Sequence, residues 1–405
     1  MNDVAREYVQ LVLALGVHDA DYVDAYYGPP AWRTRVEADA PSLEEIRRRA
    51  GDAVARLAEV EPETDDPLLS LRRRFLATQL RSLKVRARMV EGEVLSFDEE
   101  SRALYDAVAP MLPARHFDSL IAELDDLLPG RGSIPERYHA YRSAFVIPAD
   151  RLDRVFSAAI AECRTRTRRH IPLPREERFT VEYVTDQAWS AYNWYRGGYR
   201  SLIQVNTDLP IYIDRAVDLA CHEGYPGHHV YNTLLEQHLV RGRDWVEYSV
   251  YPLFSPQSLI AEGSANFGIE MAFPDSQRTV FERDVLYPLA GLPPERAAAY
   301  RRVQDLVGRL GYAGNEAARA WLDGAITDDE AANWLERYAL MSAERARQRL
   351  QFIEQYRSYV INYNLGQDLV RDYVNGGPDT SEPVRWARFA GLLASPRLPA
   401  DLRVR

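Results

Sequence analysis

Cys221-His222-Glu223-Gly224-Tyr225-Pro226-Gly227-His228-His229 is the stretch on which the reading of this chain turns. Four of its eight histidines, His222, His228, His229 and His238, fall between positions 222 and 238. Neutral imidazoles beside a carboxylate are the parts of a catalytic zinc site, the rings as ligands and the acid to hold a water. In the common His-Glu-x-x-His form, a separation of four places both rings on one helix face. The spacing here is different. On an unbroken helix six residues turn through about 600°, so His222 and His228 would diverge, and His229 would lie about 10.5 Å along the axis from His222. Pro226 removes the obstacle, because it has no N–H and its ring clashes with the carbonyl of residue 222. With Gly227 beside it, the helix is expected to break after Tyr225 and the chain to fold back toward His222.

His228, the first side chain after the break, is then the expected second ligand. His229 points about 100° away from it and is expected to face a cleft, free to donate to substrate or to an oxyanion. Its alternative is packing against the tyrosine-rich strands upstream. Two histidines leave a zinc site unfinished. The third ligand is expected from Ser258–Glu270, a helix rich in small residues (Gly263, Ala265, Gly268) that carries Glu262 and Glu270. Glu262 is assigned to the ion, and Glu270 to orienting a ligating histidine from behind.

Working outward, Ile213, Ala216, Val217 and Ala220 give an apolar face to a helix expected to start at Pro210 and end in the motif. Val230–Leu239 resumes a helical pattern, with His238 read as a surface residue. Before the motif, Phe179–Val184, Ala191–Tyr195 and Ser201–Asn206 read as strands, with Gly197-Gly198 turning the last two. They predict a small antiparallel sheet beside the zinc helix, whose edge could pair with an extended peptide. The first 170 residues read as helices: Val4–Leu15, Leu68–Val90 and Arg151–His170 show apolar residues at helical spacing. Ser96-Phe97-Asp98-Glu99 has the form of a capping box. The basic run Arg164, Arg166, Arg168 and Arg169 reads as a solvated helix end. The C-terminal third is helical again, with Ala343 to about Val374 as one long helix carrying Arg357, Tyr359 and Tyr363. A phenol there can donate to an oxyanion, and a guanidinium can clamp a carboxylate.

Composition bounds the rest. The 405 residues carry a net charge of −10, with no basic tail to offset it, which argues against nucleic acid and anionic membranes as partners. Two cysteines, Cys163 and Cys221, are too few for a disulfide framework. The opening Met1-Asn2-Asp3-Val4 has no basic n-region, and Leu11–Leu15 is too short to cross a membrane. A cytoplasmic protein is expected, in two regions, 1–170 and 171–405, or one continuous fold.

The motif His222-Glu223-Gly224-Tyr225-Pro226-Gly227-His228-His229, followed by Glu262-Gly263, resembles the bacterial domain-of-unknown-function family 885, which is grouped with gluzincin-type zinc metallopeptidases. Tyr363-Asn364-Leu365-Gly366 is similar to that family's Tyr-x-x-Gly element, while Ser264 stands where the family usually has Trp. The resemblance implies a mainly α, helical metallopeptidase-like fold with a deep cleft. The expected function is hydrolysis of peptide or small amide bonds with one zinc ion on His222, His228 and Glu262. Glu223 is the expected general base, and Tyr363 and His229 the groups facing substrate. The alternatives are a metal-binding member without turnover and an amide hydrolase acting on something other than a peptide.

Overall fold

Helical spacing of apolar side chains decides most of the architecture. The computed structural model describes residues 1–61, 66–187 and 189–403. Helices Asn2–His18, Pro67–Val90 and Leu152–Arg168 form where the periodicity predicts them. Ser96 and Glu99 close the expected capping box, and Thr327 with Glu330 closes another. One buried apolar cluster runs from Val4 to Leu402, and a smaller one gathers Phe117, Leu120 and Leu124 against Val303 and Leu310. The first region therefore shares its core with the second. No described helix is long and apolar enough to cross a membrane.

Five strands interrupt the helices. Strand β1 (Val23–Tyr26) is absent from the sequence reading, being too short to show alternation. Strands β2 (Arg178–Val184), β3 (Ala191–Tyr195) and β4 (Arg200–Asn206) match it to within a residue. Strand β5 (Val250–Pro252) pairs antiparallel with β1. Their register slips between Val23 and Ala25, leaving Asp24 at an irregularity of the ladder. The other sheet has the order β2-β4-β3. Its β3–β4 pair is the expected antiparallel hairpin, turned at Gly197-Gly198. The β2–β4 pair is parallel, which corrects the wholly antiparallel reading. Strand β4 therefore occupies the centre, with β2 and β3 at the two edges.

Two helices end where the periodicity does not. The helix leading into the motif begins at Ile213 rather than Pro210. The expected long helix from Ala343 is divided at Arg357, which adopts φ 50° and separates Ala343–Tyr356 from Ile361–Asn375. The buried Glu100 holds this break. It accepts from Arg357 Nε at 2.6 Å, Ser358 N at 3.0 Å and Ser358 Oγ at 2.6 Å. Arg357 is thus tied to a structural carboxylate and does not clamp a substrate.

Candidate metal centre

The break that brings the histidines together has a definite build. Helix Ile213–Leu219 widens into one π-helical turn at Ala220–Gly224, where Tyr225 N donates to Ala220 O. The chain then reverses, and helix His228–Leu235 starts at Gly227. Gly227 N donates to Cys221 O at 2.9 Å. A Cβ on Gly227 would stand 1.9 Å from His222 O, so only glycine fits against the first half of the motif. The two rings meet as a result: Nε2 of His228 lies 3.1 Å from Nε2 of His222, with ring planes 87° apart.

Glu262 completes the cluster from helix Pro256–Ala272. Its carboxylate lies 3.4 Å from His222 Nε2 and 3.6 Å from His228 Nε2. Ligand atoms each 2.0–2.1 Å from a tetrahedral zinc stand about 3.3–3.4 Å apart, and these three separations bracket that edge. Glu262 Oε2 is buried and has no hydrogen-bond partner among the described residues. Its close neighbour is His222 Nε2, and two imidazole nitrogens with one carboxylate make a donor set that fits a cation.

Neighbouring side chains orient the cluster. His222 Nδ1 donates to Asn266 Oδ1 at 2.9 Å, which turns its Nε2 toward Glu262 and His228. Asn266 in turn donates to Tyr363 O at 3.0 Å, and Tyr359 Oη donates to Glu262 Oε1 at 2.9 Å. Asn266 takes the place expected of Glu270, which instead binds Arg371 and Gln367. Tyr363 packs edge-on against Tyr359. Glycine again permits the approach. A Cβ on Gly263 would stand 2.3 Å from the backbone of Gly366, so Glu262-Gly263 and Tyr363-Asn364-Leu365-Gly366 touch main chain to main chain.

The charges act strongly on one another. Burial disfavours the charged form of His222, yet its contact with Glu262 and the nearby Glu223 hold its pKa up at about 9. Burial pushes His228 down to about 4. Burial, opposed by His222 and aided by Glu262, lifts Glu223 to about 7. An incoming cation would need to displace the His222 proton. Glu223 is anchored from β3, where Asn193 Nδ2 donates to its backbone oxygen at 2.6 Å.

His229 is elsewhere, and the expectation that it faces the cleft is corrected. It is fully buried, with Nδ1 2.8 Å from Ser201 Oγ and Nε2 3.1 Å from Glu177 Oε2. It packs against Phe179 and Tyr225. The 100° step from His228 is respected, but it directs His229 under the sheet. Glu177 is the hub of that underside, accepting also from Tyr225 Oη at 2.6 Å, Arg164 Nη2 at 2.6 Å and Arg168 Nη1 at 2.8 Å. Three members of the basic helix end are ion-paired, Arg164 and Arg168 with Glu177 and Arg166 with Glu162. Glu177 and Tyr359 give no local sequence signal, since each meets its partner only through tertiary packing. Cys163 and Cys221 are both buried, with Sγ atoms 2.6 Å apart behind His222.

With this geometry in view, known proteins offer a likeness of fold. No protein-family model and no curated protein matches the chain. A solved structure of a candidate lipoprotein from Colwellia psychrerythraea superposes with a TM-score of 0.55 at 14% identity, covering 90% of this chain. This chain spans 66% of that protein, just under two thirds of its length. A candidate lipoprotein of unknown function from Shewanella oneidensis gives a TM-score of 0.46 at 14% identity, over 89% of this chain and 78% of that one. The first likeness is one of fold alone. The resemblance to family 885 rests on the motif residues.

Proposed function

We propose that this protein is a zinc-dependent hydrolase of peptide or other amide bonds, related to the gluzincin-type metallopeptidases. The observation that carries the reading is the convergence of His222 Nε2, His228 Nε2 and Glu262 on one another at 3.1, 3.4 and 3.6 Å around a buried oxygen without a partner. Those three residues would hold the ion. Zinc bound there would supply a Lewis acid for the carbonyl and lower the pKa of a water.

The chain's own groups do the rest. Glu223, poised at about 7, is matched to taking a proton from the attacking water near neutral pH and passing it to the leaving amine. A binding-only site has no use for such a base. Tyr363 has its phenol pKa raised by burial and by Glu262, so it stays protonated and can donate to the oxyanion. Strand β3, an edge strand hooked to the backbone of Glu223 through Asn193, would be the element to pair with an extended substrate. Zinc-loaded protein should cleave members of a mixed peptide library, with products identified by mass spectrometry. Glu223→Gln should retain zinc and lose turnover by about 100-fold or more. A library left intact by the loaded protein would overturn the peptidase reading.

A further inference from the structure

Past the metal cluster, helix Pro256–Ala272 runs on into the wall of a separate cleft. Glu270 lies about 12 Å further along the helix axis than Glu262. With Ile269, Phe273 and Pro274 it lines a cleft of about 530 Å³, a volume in the range of small-molecule sites. Helix Ala297–Arg309 contributes Arg301, Arg302 and Asp305, and helix Glu382–Leu393 contributes Arg385. Most of the charges here are answered within the fold. Arg278 is ion-paired to Asp218 at 2.6 Å and to Glu282 at 2.7 Å, Arg301 to Asp305 at 2.5 Å, and Glu270 to Arg371 at 2.5 Å. Among the described residues, the lining groups Arg302, Arg385 and Asp275 have no ion-pair partner.

Arg302 and Asp275 are exposed, whereas Arg385 is half-buried and poorly satisfied. Its Nε donates to Asn375 Oδ1 at 2.8 Å, and its Nη2 reaches the Met271 thioether at 3.8 Å, a weak acceptor. The rest of its planar fork of N–H donors is free for an anion, and that fork matches a carboxylate. Two cations against one anion leave the cleft one positive charge in excess, which a monoanion answers and a dianion overshoots. Phe273 is buried, and Ile269 and Pro274 are half-buried, so an apolar wall stands beside the arginines. We propose that this cleft binds a small organic monocarboxylate, its charge held by Arg385 and Arg302 and its carbon chain laid on Ile269, Phe273 and Pro274. The site is separate from the metal centre and does not depend on the hydrolase reading.

Calorimetry of the full chain with sodium hexanoate tests it, on zinc-free and zinc-loaded protein so that an anion at the metal centre is told apart. Hexanoate should bind alike in both states, and about 10-fold more tightly than acetate because its longer chain lies on the apolar wall. Arg385→Gln should weaken it about 10-fold or more, the range of one charge-assisted hydrogen bond. The exposed Arg302→Gln should weaken it about threefold, and serves if Arg385→Gln does not fold. Asp275→Asn should tighten it about two- to threefold at low salt by removing the repelling charge, a gain that damage to the fold cannot mimic. No binding, or an affinity untouched in both arginine variants, would overturn the site. Inorganic phosphate or hexylamine binding as tightly as hexanoate would remove the monocarboxylate as its ligand. Binding to the zinc-loaded protein alone would assign the anion to the metal centre, and the proposal would fall while the hydrolase reading stood.

Discussion

Glu177 tests whether the underside of the motif holds its working face in place. Its side chain is fully buried and receives hydrogen bonds from Tyr225, His229, Arg164 and Arg168. Burial alone would raise its pKa, but the hydrogen bonds from His229, Tyr225 and Arg164 outweigh that and hold it at about 2. An unfolded glutamate titrates near about 4.3. Because the folded value is the lower one, the stabilisation is present above about pH 4.3 and is lost as pH falls toward 2. The gap amounts to about 3 kcal/mol, or about 2 kcal/mol once solvent screening at the partly exposed Arg164 and Arg168 is discounted. Glu177→Gln keeps the shape and removes the charge. In urea unfolding at pH 7 it should be less stable by about 2 kcal/mol. That difference should hold steady above about pH 5 and shrink by about half by pH 3.5. A difference that grows on acidification, or ignores pH, would refute the assignment of Glu177 as the charged hub.

The other expectations concern the two faces of the break. His228→Ala should lose bound zinc measured by atomic emission, whereas His229→Ala should keep it while melting at a lower temperature, since His229 is a core residue. The reverse pattern would exchange their roles. Gly227→Ala must move a Cβ away from His222 O, a repacking that typically costs about 1–3 kcal/mol, and it should weaken zinc binding as well; wild-type stability and zinc content would show that the close approach is unimportant. Burial, with the Cys163 thiol beside it, raises the Cys221 thiol well above its ordinary value, so native protein at neutral pH should resist iodoacetamide there until denatured. Alkylation of Cys221 in the folded state would contradict its placement.

How much of this was legible depended on whether a contact was local. The break at Pro226-Gly227 could be foreseen because backbone sterics act between neighbours, and His222 and His228 are joined by that single turn. Glu262 could be assigned because a glutamate on a small-residue helix suits a close-packed third ligand. Tyr359 was hidden by the assumption of one continuous helix after Ala343. Its approach to Glu262 follows the break at Arg357, which the distant Glu100 enforces. Strand β1 was hidden because four residues have no period to read. His229 was rotated correctly but given the wrong destination, since only the assembled sheet shows what lies on that side.

The contact between Gly263 and Gly366 bears on how such a site can be altered over generations. A side chain at either glycine would part the two helices, and with them the Glu262 carboxylate from the Tyr359 hydroxyl. Stepwise exchange of residues cannot adjust that spacing; it is inherited whole or lost whole. The sheet is bound less tightly: β3 lies at its edge, and residues there can change without forcing those two helices apart.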